Sequence, residues 1–315
     1  MQLLEKENEI FLTIKVRVSR KESYVYIQKI AANGEQSLSF LEYFSPNGEQ
    51  LVDMSFSKIG KNNYTITGTY STSGNSSSEG IFFAFLNDLR IEKISYYNFI
   101  NLDDFLSFLP QKRQEKIKRK KRRKSNRGKE YALSYNIAQH EVKKLKDGSY
   151  LFLGEAYYPT YTSYTTYSAN GTPTTQQVFD GYRYTHAVAA KFNAYGELVW
   201  DNCFKMYPSY KPFTVKKFIT VNIDNEDYLS MLFAANKTIV SKSISYENGK
   251  VLQDRQSETL ELSDQEKLKY SHINLDYWYE NNFILFGNQT IKDKSARFGS
   301  KRRRIFFISK IKHEL

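Results

Sequence analysis

A short strand motif returns five times along the chain, and a recurring strand restricts the fold severely, because each copy must bury itself against a neighbour built the same way. In its clearest copies two small or polar residues precede an aromatic anchor, and a glycine follows the anchor by four. These copies are Asn62-Asn63-Tyr64-Thr65-Ile66-Thr67-Gly68, Gly148-Ser149-Tyr150-Leu151-Phe152-Leu153-Gly154 and Asn281-Asn282-Phe283-Ile284-Leu285-Phe286-Gly287. Two copies lack the glycine: Asn8-Glu9-Ile10-Phe11-Leu12-Thr13-Ile14 and Glu226-Asp227-Tyr228-Leu229-Ser230-Met231-Leu232.

A second element follows each copy, a strand leading to a turn and another strand. Thr185 to Phe192 leads through Tyr195-Gly196-Glu197 to Leu198-Val199-Trp200, and Tyr24 to Ile30 leads to Asn33-Gly34-Glu35. Related strands are Ile81 to Leu86, Ile239 to Ile244 before Asn248-Gly249, and Ile305 to Ile311. Asn-Gly between β-rich runs predicts a type I′ hairpin, since both residues accept positive φ.

The anchors Ile10, Tyr64, Tyr150, Tyr228 and Phe283 are spaced by 54, 86, 78 and 55 residues. Each long interval contains one segment unlike a strand, 101–129 and 157–183, and removing these restores a common period. With a strand candidate before each anchor, as in Tyr131 to Leu145 and Phe213 to Ile223, each unit holds about four strands. Four-stranded units in series predict an all-β fold, a β-propeller of about five units in a single domain over 1–315. Several strands are apolar on both faces, as sheets between neighbours require. A β-sandwich or an irregular β-solenoid is the alternative; the density of Tyr, Phe, Val, Ile and Thr excludes stacked helical hairpins.

The unit from 140 to 206 resembles the repeat of bacterial seven-bladed β-propellers, in which a glycine-ended strand precedes an alanine, apolar, lysine, apolar strand and a glycine turn. Here these are Tyr150 to Gly154, Ala187-Val188-Ala189-Ala190-Lys191-Phe192 and Gly196-Glu197-Leu198-Val199-Trp200. The resemblance implies a propeller, often of envelope or secreted proteins, and transfers no catalytic residue. The chain departs from the family in having about five units and two insertions. The first unit is expected to lack the strand before its anchor and the last to stop short of its closing strand, so either the two terminal strands share a composite unit or the chain starts inside a longer, exported protein.

Charge is confined to one insertion. The net charge is +12, yet residues 112–129 hold twelve bases and one acid, Glu115, so the remainder is nearly neutral. Asp103-Asp104-Phe105-Leu106-Ser107-Phe108-Leu109-Pro110 predicts a short capped helix that docks through Phe105, Leu106, Phe108 and Leu109. The following run favours a helix by propensity, but like charges at i, i+4 repel and only Ile117 is apolar. Lys116, Lys118, Arg119, Lys120, Lys121, Arg122, Arg123 and Lys124 are candidate polyanion contacts, for nucleic acid or another acidic surface. The plain alternative is a solvated arm. No aromatics are interleaved to stack bases, so the expected contact is charge-driven rather than sequence-specific.

The second insertion alternates Tyr and Thr at threes and predicts an exposed loop or hairpin with a tyrosine face. Tyr158, Tyr161, Tyr164 and Tyr167 are candidate ligand contacts for a protein or glycan, since exposed tyrosine supplies contact area at low entropy cost. Folding back over the rim is the competing reading. A non-catalytic binding module working through its loops is thus the leading expectation, polyanion binding through 112–129 the alternative, and a propeller hydrolase or lyase the third.

Catalytic and metal-binding patterns are thin, and no cofactor is expected. His140, His186, His272 and His313 fall singly in different units. Glu155 is the acid that follows a repeat glycine and its counterparts Thr69 and Asn288 are not acidic, so no ring of carboxylates and no acid/base pair is expected; the hydrolase or lyase reading needs Glu155, Asp201 and the histidines clustered at one channel mouth. Asp224-Asn225-Glu226-Asp227 lacks the spacing of a calcium loop. A single cysteine, Cys203, excludes an intramolecular disulfide and a cysteine zinc cluster. No run reaches the length of a membrane span, and the start lacks a signal-peptide pattern, so a soluble, unexported chain is expected on that basis. The terminal Lys312-His313-Glu314-Leu315 resembles an ER-retention tetrapeptide and, with no signal-peptide pattern, is expected to be a coincidence. The sequons at Asn63, Asn75, Asn170, Asn236 and Asn288 are what a chain rich in Asn, Ser and Thr contains by chance.

Overall fold

The computed structural model describes all residues except 1, 5–7, 20–21, 75, 209, 223–226, 236–237, 260–265 and 294–301. The sequons at Asn75 and Asn236 and residues 224–226 therefore lie outside the described residues. The protein is nearly all-β, with several antiparallel sheets. It divides into two compact units, Met1–Ala156 with Ala187–Cys203, and Tyr157–His186 with Phe204–Leu315.

The first unit opens with two four-stranded sheets, each a continuous stretch of chain whose strands pair in sequence order. One comprises β1 (Gln2–Leu4), β2 (Glu9–Arg17), β3 (Ser23–Ile30) and β4 (Gln36–Phe40); the other β5 (Gln50–Lys58), β6 (Asn63–Ser71), β7 (Gly80–Asn87) and β8 (Arg90–Asn98). A third sheet contains β9 (Asn136–Gln139), β10 (Lys143–Lys144), β11 (Tyr150–Tyr167), β12 (Pro173–Phe192) and β13 (Leu198–Lys205), paired in the order β10-β11-β12-β13 with β9 also on β11. The outer halves of β11 and β12 belong to the second unit.

The second unit adds a sheet of β14 (Thr220–Val221), β15 (Tyr228–Ala235), β16 (Thr238–Ser245) and β17 (Val251–Thr259), and one of β18 (Glu266–Tyr279), β19 (Asn282–Asp293) and β20 (Arg302–Lys312). All five repeat anchors occupy the second strand of their sheet: Ile10 in β2, Tyr64 in β6, Tyr150 in β11, Tyr228 in β15 and Phe283 in β19.

Within the first unit the second sheet is apolar on both faces because both are covered. Phe82, Ala84 and Leu86 of β7 pack with Phe11, Val25 and Ile27 of the first sheet. Ile81 and Phe83, pointing the other way, pack with Tyr150, Phe152 and Val188. Alternate residues of a strand face opposite sides, so a strand buried twice must be apolar throughout. In the second unit Leu232, Ala234 and Ile239 pack on Ile273, Leu275, Phe283 and Leu285.

Several expectations are corrected here. A strand does precede the first anchor: Gln2–Leu4 pairs with β2. Strands β9, β10 and β14 are much shorter than the candidate stretches 131–145 and 213–223. Among the described residues β1 pairs with β2 and β20 with β19, in separate sheets. The Asn-Gly turns are not type I′, because Gly34 and Gly249 have φ of +85° and +69° while Asn33 and Asn248 do not enter that region. They are longer loops closed by one left-handed glycine; Gly34 donates its N–H to the Ala31 carbonyl at 2.9 Å. Two successive positive φ values occur instead at Asp88 and Leu89, between β7 and β8.

Candidate functional site

The basic insertion is built outward from a rigid footing in the first unit. Asn98 Oδ1 accepts the Ile100 N–H at 3.1 Å and starts a 3-10 turn, Phe99–Asn101. The Asp201 carboxylate then accepts the N–H groups of Asp103 at 2.8 Å and Asp104 at 2.9 Å, and Asp104 Oδ2 accepts the Cys203 N–H at 3.0 Å. The expected helix over 103–110 is consequently a series of turns: its aspartates are engaged with β13 instead of capping a helix of their own. Phe105 and Leu106 are buried, as their docking role required, and Phe105 stacks on Phe99 with ring centroids 4.6 Å apart.

After Pro110 the chain forms α1 (Gln111–Ser125). Gln114, Ile117, Lys121 and Lys124 fall on one stripe of it. Gln114 Nε2 donates to the Leu109 carbonyl at 2.8 Å, Ile117 packs on the core, Lys121 Nζ donates to the Ile100 carbonyl at 3.2 Å, and Lys124 Nζ sits 5.2 Å from the Tyr131 ring centre. Gly128, at φ +62°, ends the helix beyond its last turn of bases. Lys116, Lys118, Arg119, Lys120, Arg122 and Arg123 are exposed, together with Lys112 and Arg113, and among the described residues none of these eight makes an ion pair. A cleft of about 420 Å³ beside the seated stripe is lined by Glu49 and Glu130 against Lys121 and Lys129, a balance of charge that leaves the outer face of the helix as the more positive surface.

The second insertion forms a hairpin arm in the second unit. Its tip is closed by Ser168 N–H donating to the Thr172 carbonyl at 3.0 Å and by Gly171 at φ +73°. Nearer its base Asp180 accepts hydrogen bonds from the hydroxyls of Thr160 and Thr162 and pairs with Lys211 Nζ at 2.7 Å. The lysine first, then the two hydroxyls, pull the Asp180 carboxyl down to about 2. Tyr158, Tyr161, Tyr164 and Tyr167 are all exposed. They do not form one tyrosine face: a spacing of three on a strand of period two puts Tyr158 and Tyr164 on the side of Thr160 and Thr162, and Tyr161 and Tyr167 on the other. Tyr161 meets Phe179 there at 6.0 Å.

The isolated acids and histidines are drawn into structural roles. Glu155 and His140, taken singly in the sequence, come together: Glu155 Oε1 lies 2.7 Å from His140 Nε2, with the carboxylate fully enclosed. The signal for this pair was the β9–β11 pairing, which no local pattern announces. Asp201 serves the turn at 103–104, and burial, opposed by those two backbone hydrogen bonds, raises its pKa. His186 is buried in β12, which lowers its pKa to about 3. His313 Nε2 lies 3.3 Å from Ser243 Oγ. Among the described residues no three His, Cys, Asp or Glu side chains gather to hold a metal ion, and no helix is long and apolar enough to cross a membrane.

No family profile matches the chain, and no curated protein matches it in sequence. Among solved structures, a Bacteroides ovatus protein described as a candidate hydrolase is similar at 8% identity and a TM-score of 0.28, over 82% of this chain and 68% of its own. Prolyl oligopeptidase B from Galerina marginata is similar at 13% identity and a TM-score of 0.16, over 95% of this chain and 51% of its own. Similarity at these scores carries no argument about fold or activity.

Proposed function

We propose that the protein is a non-catalytic binding protein that holds polyanions, nucleic acid or another phosphate- or sulfate-bearing polymer, on the outer face of α1. The observation that carries this reading is the pairing of a seated stripe with eight exposed bases that make no ion pair among the described residues. A flexible arm would relax its repulsion by spreading; a helix anchored through Ile117 and Lys121 cannot, and phosphates relieve that repulsion while releasing their own counterions. With about six phosphates engaged, affinity should fall by about a thousandfold between 50 and 200 mM salt. Retention on heparin and on single-stranded DNA, measured across salt, tests this against a variant with Lys116, Lys118, Arg119, Lys120, Arg122 and Arg123 changed to Gln. Equal elution of the two proteins refutes it.

For the scaffold we propose a propeller-type stack of repeat units related to the bacterial seven-bladed repeat. Its support is the common place of the anchors on second strands, the serial up-and-down sheets, and the double coverage of the second sheet within the first unit.

A second reading, contact with a protein or glycan through the arm, is favoured by tyrosines on both faces of a hairpin stiffened by Asp180. Changing Tyr158, Tyr161, Tyr164 and Tyr167 to Ser should abolish any glycan-panel binding of the intact chain without lowering its Tm; binding unaltered by the change refutes this reading.

A further inference from the structure

The second unit holds a cleft of about 340 Å³ distinct from the arm's exposed tyrosines, lined by Arg183, Tyr184, Tyr207, Pro208, Tyr210 and Lys211. That is the size of a small-molecule site. Three further cations, outside its lining, lie against its tyrosine rings. Lys205 Nζ lies 5.3 Å and Arg255 Cζ 5.8 Å from the Tyr207 ring centre, and Lys216 Nζ lies 5.8 Å from that of Tyr210. A ring face orients a cation through its quadrupole but does not cancel its charge as a carboxylate would.

Arg183 is exposed, and its guanidinium has neither a hydrogen bond nor an ion pair among the described residues. Of the five cations named here, only Lys211 is ion-paired among the described residues, with Asp180. His272, whose ring centre is 4.7 Å from that of Tyr210, adds no charge near neutral pH, because burial and then Lys216 lower its pKa.

The wall of the cleft is tied down. Tyr184 Oη donates to the Lys216 carbonyl at 2.6 Å and accepts the Lys216 N–H at 2.8 Å, while the Tyr182 N–H donates to the Pro212 carbonyl at 2.9 Å. The loop that carries Tyr210 and Lys211 is thereby fixed to β12. A concave, fixed site that keeps Arg183 unpaired beside the Asp180-paired Lys211 suits a compact anion, and the planar fork of Arg183 matches an oxyanion with two free oxygens. The volume admits one ring and its charged group but no polymer segment.

We propose that this cleft binds a phosphomonoester of sugar size, the dianion against Arg183 and Lys211 and the sugar ring against Tyr207 and Tyr210. The ligand is either a free sugar phosphate or the phosphorylated end of a chain, since both present the same group.

Calorimetric titration of the intact chain with ribose 5-phosphate tests the proposal, with ribose as the neutral control. The expected result is saturable binding of the phosphate ester alone, weakened at least about tenfold in Arg183→Ala, an exposed position whose loss leaves the thermal melt unchanged. Tyr207→Leu keeps every charge but frees Lys205 and Arg255, and should weaken binding as well. A short oligonucleotide with a 5′-phosphate, compared with its 5′-hydroxyl form, separates the two sources: discrimination between them without binding of free ribose 5-phosphate assigns the site to chain ends. Binding of neither phosphate form, equal binding of ribose, or an Arg183→Ala protein that binds like the parent overturns the proposal. The variant with neutralised α1 should bind ribose 5-phosphate as the parent does, so this result stands or falls separately from the polyanion reading.

Discussion

A Cβ placed on Gly68 would lie 1.9 Å from the carbonyl oxygen of Asp53, on the neighbouring strand β5, and 2.7 Å from the Phe82 ring. Gly287 stands in the same relation to His272 of β18, at 2.1 Å. Neither glycine has positive φ, so at these two positions the glycine serves close approach of backbone rather than a turn, while at Gly154 the nearest atoms are side-chain ones of Ile137 and Phe152. Gly68→Ala should therefore push β5 off β6 and cost about 3 kcal/mol. Gly148→Ala, where φ is +80° and the space is open, should cost only about 1 kcal/mol of backbone strain. Urea midpoints of the two variants check the order.

The footing of α1 and the helix itself should respond differently to truncation. Phe105, fully buried and stacked on Phe99, should cost about 3–5 kcal/mol when changed to Ala. Ile117 is half-buried at the edge of the same core, and Ile117→Glu should leave the global melt nearly unchanged while releasing the helix. Faster tryptic cleavage within 112–124 at an unaltered Tm is the expected readout.

Burial of His186 makes part of the stability pH-dependent. Its folded pKa, about 3, lies below the ordinary value of 6.5, so the folded state disfavours the proton. The contribution is complete above pH 6.5 and is lost as pH falls from there toward 3. His186→Gln should flatten the fall in Tm across that window relative to the parent, and parallel Tm–pH curves would contradict this origin.

Asp180 holds the base of the arm, and its carboxylate stays ionised to about pH 2. Being only half-buried at the base of a surface arm, it should contribute little to global stability. Asp180→Asn removes the ion pair with Lys211 and should speed amide exchange in 158–182, with Tm unaltered. Acidification to pH 4 should leave the parent's arm protected, because the folded pKa lies below that point.

What could be read from the chain was local. The alternation and glycine spacing around Tyr64, Tyr150 and Phe283 placed β6, β11 and β19, and the two insertions stood out because they break that pattern. Where a neighbour decides the conformation, the reading failed. Asp103 and Asp104 looked like helix caps, but Asp201, about a hundred residues later, takes their N–H groups. Asn33 and Asn248 matched a two-residue turn, yet loop length and strand twist leave only their glycines at positive φ. The tyrosines of the arm looked like one stripe until strand pairing imposed its period of two.

The sequence alone determined that this protein is built of serial β-units with one basic and one tyrosine-rich insertion, because strand patterning, turn residues and charge runs act over a few residues. Tertiary structure decided the rest: that Glu155 meets His140, that Ile117 and Lys121 seat a helix whose repulsion would otherwise weaken it, and that Tyr207 and Tyr210 collect cations around a cleft. These depend on burial and on partners distant in the chain, and their free energies arise only once the sheets have packed.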